Sequence, residues 1–197
     1  MAWHPLFTLV LAAMAVMGSP GPATISLTAT GSAFGVRRSL GYLIGIVLGT
    51  TLVLIAVATG ITAALLAVPA VRPVLIVVSA AYILWLAYHV ATAPPLDDPG
   101  TSAAPSLGGG ALLGVANPKA WVAIAAVFAG ARLAEHALAD AAAKVAVLTV
   151  MIVLINATWL LAGASFAPVF RDPRRARVVN VALAVALVVT TAVAVVH

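Results

Sequence analysis

The apolar runs of this chain are longer and more numerous than the interior of a soluble domain of 197 residues can absorb. A helix needs about 20 apolar residues to cross the hydrocarbon of a bilayer, and runs of that kind recur between Pro5 and Val196, separated by short polar connections. Composition agrees. Hydrophobic residues make up 64% of the chain and charged ones 8%, with a mean hydropathy of +1.19, where soluble domains run at roughly 45–50% apolar and about 25% charged. The expected fold is an all-α integral membrane protein with six transmembrane helices and no soluble domain.

The spans read as Pro5 to Thr30, Leu40 to Leu66, Val74 to Thr92, Ala111 to Ala131, Val145 to Phe166 and Val178 to Val196. Between the third and fourth lies the stretch from Ala93 to Gly110, rich in Pro, Gly, Ser and Asp, which reads as an exposed linker. Residues 1–197 then form one transmembrane domain, with a first half at 1–92 and a second at 111–197. Leu6 to Val16 followed by Gly18-Ser19 has the outline of a signal peptide. That class of segment carries a positive leading region, and no Lys or Arg precedes Arg37, so the segment is read as a retained span.

Net charge is +5. The basic residues sit in short loops, so they are read as topology signals and headgroup contacts rather than as a nucleic-acid surface. Arg37, Arg38, Arg171, Arg174, Arg175 and Arg177 follow spans one and five, whereas Arg72, Arg132 and Lys144 follow spans two and four. Arginine and lysine mark the cytoplasmic side. Both termini are therefore predicted to face outward and the Ala93 to Gly110 linker to face the cytoplasm. The chain has no cysteine, which removes disulfides, thiolate metal sites and thiol redox chemistry.

Two of the spans are interrupted. Gly18-Ser19-Pro20-Gly21-Pro22 cannot continue a regular helix, because each proline lacks an N–H and crowds the carbonyl four residues back. Asn117-Pro118-Lys119 repeats the device in span four. In both cases the crowded carbonyl belongs to a glycine, Gly18 ahead of Pro22 and Gly114 ahead of Pro118. Three spans per half is an odd number, so the second half enters the membrane opposite to the first, as in inverted-repeat transporters whose sites lie between broken helices. Helices one and four are predicted to bring their breaks together. Carbonyls freed there need protein or a water-filled cavity to satisfy them.

Lys119 is the only charged residue read as lying well inside a span, and a charge at depth is a functional hypothesis in itself. Either its stem carries the ammonium to the surface, or it meets an anionic group such as a substrate carboxylate, assisted by N–H groups where a half-helix begins. After the first break come Thr24, Ser26, Thr28 and Thr30, expected mainly to bond back to their own helix. Gly41, Gly45 and Gly49 recur every fourth residue and form a flat strip for close helix packing. Tyr82, Trp85, Tyr88 and His89 are read as an interfacial aromatic belt.

Ser19-Pro20-Gly21-Pro22, Arg37-Arg38 followed by Gly41, Gly45 and Gly49, Tyr82-x-x-Trp85-Leu86, Asn117-Pro118-Lys119-Ala120 and Trp159 together resemble the LysE/RhtB family of bacterial amino-acid exporters, over nearly the whole chain. The resemblance implies a six-helix carrier of the bacterial inner membrane, a homodimer that exports amino acids or related small metabolites under the proton gradient and takes no cofactor. Two positions depart from the family pattern as aligned: Val53 stands where a histidine is frequent, and Asn156 where an aspartate is. A neutral Asn156 favours a neutral amino acid over lysine or arginine as substrate. The expected substrate-binding residues are Gly18, Ser19, Pro20, Gly21, Pro22, Thr24, Asn117, Pro118, Lys119 and Asn156.

Rival classes are weaker. No HExxH, GxSxG, paired intramembrane aspartates or cysteine supports an intramembrane enzyme. Metal-ion efflux would want carboxylate, histidine or thiolate ligands, for which Thr24, Ser26 and Asn156 are poor substitutes; efflux of another small solute is the alternative within the same superfamily. A structural membrane protein without transport would account for the glycine faces alone.

Overall fold

The computed structural model describes residues 3–60, 71–92 and 105–165, together with the helical residues 177–178, 181–182, 184–186 and 188–189. The Val68-Pro69 turn, most of the linker, the arginine-rich tract at 171–176 and most of span six lie outside these described residues.

Helix α1, Trp3–Ala12, runs into a wider π turn, Ala13–Met17. Gly18 N–H closes that turn on the carbonyls of Ala13 at 3.2 Å and Met14 at 3.1 Å. The chain restarts as α2, Pro22–Ala58, with Pro22 in the first turn, where its missing N–H costs nothing. α2 is two helices joined at Gly35, whose φ of 72° is open to glycine and strained for other residues. The second half folds back along the first: Tyr42 donates to Ser26 Oγ at 3.1 Å and Ser39 to the Thr30 carbonyl at 3.1 Å. The loop expected between Thr30 and Leu40 is thus corrected to a one-residue reversal, because Gly35 alone supplies the turn.

Then come α3, Val71–Ala91, α4, Leu107–Ala116, α5, Pro118–Ala129, and α6, Ala137–Ser165. Among the described residues all regular structure is helical. α2 and α6 are long and apolar enough to cross a membrane, and α4 with α5, bent by 59° at Asn117, makes a third if counted as one span.

Two boundaries differ from the sequence reading. α4 begins at Leu107, inside the expected linker, because Ser106 caps it by accepting from Gly109 N–H at 3.1 Å. The break at Asn117 therefore lies near the middle of the bent pair. α6 begins at Ala137, inside the stretch from Arg132 to Lys144 that reads in sequence as an exposed turn with a little interfacial helix. Asp140, in its first turn, accepts from the N–H groups of Leu133 and Ala134 and pairs with Lys144 at 2.7 Å. Lys144 is buried at 6% exposure, its ammonium 4.9 Å from the Phe128 ring centre. A second lysine thus lies deep in the helices, and it brings its own carboxylate.

The glycine strip of α2 finds its partner within the chain. A Cβ on Gly49 would stand 3.1 Å from Gly114 Cα and Val115 N, and one on Gly114 would meet Gly49 Cα at 3.0 Å. Gly45 packs likewise on the Leu107–Ala111 backbone, whereas among the described residues nothing comes within 4 Å of a Cβ at Gly41. On the other side Gly31 packs on Leu160 and Ala164 of α6, and Gly163 on Thr28. Small residues let backbones approach where lipid supplies no hydrophobic drive.

Buried side chains form two clusters. One gathers Leu27, Tyr42, Ile46, Ile83, Leu113 and Leu160; the other gathers Leu9, Val53, Leu54, Trp121, Ile124, Leu148 and Ile155. α2 passes from the first to the second between Ile46 and Val53, and α6 from the second to the first between Ile155 and Leu160. The positions at the crossing level are Thr50 and Asn156, and the two helix breaks lie there with them.

Candidate functional site

At the first break the geometry is an account of displaced backbone bonds. Pro20 cannot donate to the carbonyl of Val16, and the Ser19 hydroxyl does so instead at 2.8 Å. Pro22 cannot donate to the carbonyl of Gly18, and the Trp159 indole N–H of α6 does so at 3.1 Å. The carbonyls of Ser19 and Pro20 both accept from the Lys119 ammonium, the latter at 3.1 Å, and the Ser19 hydroxyl accepts from it at 2.8 Å. Gly21 N–H donates to Thr24 Oγ1 at 2.9 Å, which caps the restarted helix. Buried polar groups left unmade cost more than made ones gain, so each replacement donor holds the break open at little cost.

The second break is built the same way. Asn117 stands in extended backbone conformation, and its side-chain oxygen accepts from Lys119 N–H at 3.1 Å, capping α5. Because Lys119 N–H is thus taken, the carbonyl of Val115 is free, and the Trp121 indole N–H closes on it at 2.7 Å. Each break is capped by one tryptophan.

The two breaks meet, as the paired motifs suggest. Lys119 reaches from the second to the first, its stem lying against Gly21, where a Cβ would come within 2.6 Å of Lys119 Cδ. The sequence reading offered the Lys119 ammonium two destinations, the surface or an anion. In the structure it takes a third: three neutral oxygens of the partner break, one for each of its three N–H donors.

Beside this contact lies a cavity of about 50 Å³, several times the roughly 10–15 Å³ one water requires. Gly21, Thr24, Thr50, Asn117, Lys119 and Asn156 give it polar character, and Met17 with alanines and isoleucines makes up the rest of the described wall. Of the expected site residues, Gly21, Thr24, Asn117, Lys119 and Asn156 line the cavity. Gly18, Ser19 and Pro20 form the Trp159–Lys119 cap beside it, while Pro22 and Pro118 shape the restarted helices. Ser26, Thr28 and Thr30 bond to their own helix at Ala23, Thr24 and Leu27, as anticipated.

Sequence reasoning did not single out Thr50, nor the capping work of Trp121 and Trp159. Val53, in the position where a histidine is frequent, is buried in the apolar cluster at 1% exposure and takes no part in the cavity. Thr50, about one turn earlier on the same helix, does. Asn156 donates to the carbonyl of Ile152 at 2.8 Å and presents its remaining polar surface at the cavity wall. Lys119 is the only ionisable side chain among the lining residues.

Comparison with known proteins adds identity to this geometry. Cysteine/O-acetylserine efflux proteins of Salmonella typhi and Salmonella typhimurium are each 41% identical over 81 residues. That match covers 41% of this chain, and the chain spans about two-fifths of the length of those relatives. No solved structure matches. The model of the LysE type translocators matches residues 14–197, both breaks and the cavity included, and the chain therefore belongs to the LysE type translocator family.

Proposed function

We propose that this protein is a secondary transporter of the bacterial inner membrane that exports a small neutral amino acid or a related metabolite from the cytoplasm, driven by the proton gradient. The observation that carries this reading is the cavity at the meeting of two broken helices, lined by backbone, amide, hydroxyl and one ammonium. Such a site is what carriers built from repeats place between their halves. The efflux activity named for the Salmonella proteins, toward cysteine and O-acetylserine, fits a small cavity in which Gly21, Ala23, Ala120 and Ala123 leave space and Met17, Ile124, Ile152 and Ile155 limit it.

The same proposal has six spans as two inverted repeats, 1–92 and 111–197, both termini outward and the 93–110 linker in the cytoplasm. Support comes from the packing: the broken helix of each half lies on the second helix of the other, Gly31 on α6 and α4 on the Gly45–Gly49 seam of α2. Substrate would be held by the ten residues from Gly18 to Asn156 named above, joined now by Thr50. Proton coupling would fall to Lys119 as the ionisable group of the cavity wall, and the working unit would be a homodimer in contact with lipid.

The test is an export panel. Cells expressing the chain are loaded with dipeptides, and the amino acids that leave are followed, with cysteine and O-acetylserine included. Faster release of one or a few small neutral amino acids than from control cells is the expected result. No difference across the panel, together with no flux in proteoliposomes, would overturn the reading.

A further inference from the structure

The contact between Lys119 and the first break is a primary ammonium held by a set of oxygens. Its three acceptors are the Ser19 carbonyl, the Ser19 hydroxyl and the Pro20 carbonyl. None belongs to a carboxylate, and among the described residues no Asp or Glu lines the cavity. The Ser19 hydroxyl spends its own proton on the Val16 carbonyl, so toward the cavity it can only accept. Gly18 is already taken by Trp159. An α-amino acid has the same kind of group as Lys119, an ammonium with three N–H donors, and at the edge of the cavity, where the Lys119 head leaves its wall, a set of oxygens is already arranged around such a group.

We infer that the carbonyls of Ser19 and Pro20, with the Ser19 hydroxyl, form the recognition site for the substrate's α-ammonium, and that Lys119 occupies it as a tethered stand-in while the cavity is empty. This deepens the transporter reading and depends on it for the identity of the substrate. On loading, the incoming ammonium replaces the Lys119 ammonium at the three oxygens, and the released Lys119 turns to the substrate carboxylate. The oxygens hold one ammonium before and after, so no step leaves them without a donor. Gly21 leaves room for this exchange, since its missing Cβ is where the Lys119 stem lies. The exchange selects zwitterions: an N-acylated acid cannot displace Lys119, and a decarboxylated amine displaces it without giving it a partner. In the empty carrier the two breaks are meanwhile tied together by its own lysine.

The first arm of the test does not require transport. Purified Lys119→Ala protein, with Lys119→Met as a variant that keeps most of the stem, is unfolded thermally in ethylammonium chloride, tetramethylammonium chloride and sodium chloride at equal ionic strength. Ethylammonium should raise the midpoint of the variants by a few degrees and leave wild type unmoved, because a ligand stabilises only where its site is vacant. No shift specific to ethylammonium, or the same shift in wild type, would overturn the inference.

The second arm uses wild type alone and decides the matter if neither variant folds. Serine, N-acetylserine and ethanolamine are compared as competitors of amino-acid flux in proteoliposomes. The N-acetyl compound should compete about tenfold less well or worse, the loss of one charged hydrogen-bonding group. Equal competition by N-acetylserine would overturn the inference while leaving amino-acid export standing. Wild type that carries no amino acid would instead remove the transporter reading, and the ethylammonium arm would still decide whether the oxygens form an ammonium site.

Discussion

Lys119 and Ser19, 100 residues apart in sequence, are joined by two hydrogen bonds from one ammonium, to the Ser19 carbonyl and, at 2.8 Å, to the Ser19 hydroxyl. A third bond from the same ammonium reaches the Pro20 carbonyl. The link ties the end of one broken helix to the start of another, so the two breaks act as one structural unit. Lys119→Met keeps the apolar stem and removes the donors. It should lower stability by about 2 kcal/mol, the cost of stranding acceptors at a partly buried site, read as a fall in the thermal unfolding midpoint in detergent, and it should reduce export severely. Lys119→Arg should not rescue export, because a planar fork cannot replace a compact three-donor head.

Trp159 offers a narrower test, since its indole N–H serves the carbonyl that Pro22 cannot serve. Trp159→Phe retains an aromatic ring and deletes the donor. A loss of about 1–2 kcal/mol is expected, the penalty for an orphaned acceptor. Trp121→Phe should behave alike through the Val115 carbonyl. A change within about 0.5 kcal/mol, the usual range for substitutions away from special features, would show that water satisfies these carbonyls as well as the indoles do.

The glycine strip divides into positions that matter for packing and one that does not. Gly114→Ala would push a methyl to within 3.0 Å of Gly49 Cα and against the Ile46 and Thr50 backbone. Backbone cannot swing aside as a side chain can, so α2 and α4 must separate, at a cost of about 1–3 kcal/mol by analogy with overpacked cores. At Gly41 a methyl meets nothing, and Gly41→Ala should be neutral or gain up to about 1 kcal/mol from helix propensity. Midpoints of thermal unfolding for the two variants should fall on opposite sides of wild type or nearly so. If Gly41→Ala were the damaging one, that face would be covered by something other than the described residues, a second copy in the proposed homodimer among them.

Much of this arrangement was legible from residue types. Proline beside glycine in an apolar run states a helix break without further context, and two breaks three spans apart in a three-plus-three chain state that they face each other. What the sequence could not show was who caps them. Trp159 and Gly18 are separated by 141 positions, and a tryptophan in a span is ordinarily read as belt or packing. Thr50 was passed over for a similar reason: a threonine in a helix looks like one more hydroxyl bonded to its own backbone. Lys144 was misread because Glu135, His136 and Asp140 precede it and made the segment look solvated. Lys144 in fact pairs with Asp140, whose carboxylate also ties down Leu133 and Ala134 ahead of the helix.

That pair should be asymmetric under mutation. Asp140→Ala strands a buried Lys144 ammonium and frees two backbone N–H groups, so a loss of about 3 kcal/mol or more is expected from breaking a buried pair on one side. Lys144→Met keeps the stem against Phe128 and leaves Asp140 bonded to Leu133 and Ala134, and should cost about 1 kcal/mol, no more than an ordinary substitution. Unfolding midpoints in detergent separate the two. Equal losses would mean that the ion pair, rather than the loop anchor, holds the start of α6.

Asn156 carries the prediction most specific to transport. It is 6% exposed, lines the cavity with Lys119, and has its amide N–H bound to Ile152. Asn156→Asp exchanges that amide for a carboxylate of nearly the same shape in a cavity whose only ionisable group is a cation. The new charge has a nearby ammonium to offset it, so the variant should fold. If the cavity binds substrate, the added anion should favour solutes carrying a second cation, because a desolvated opposite charge stabilises a buried cation where an amide dipole does so weakly. Export of lysine or ornithine relative to serine should then rise about tenfold in the variant, a change of roughly 1.4 kcal/mol in relative recognition. The panel assay reads this directly, with wild type and Asn156→Leu as references. A variant that is made, folded and inserted, yet shows the wild-type order of substrates, would place the selecting surface away from Asn156 and toward the Thr50 and Asn117 walls.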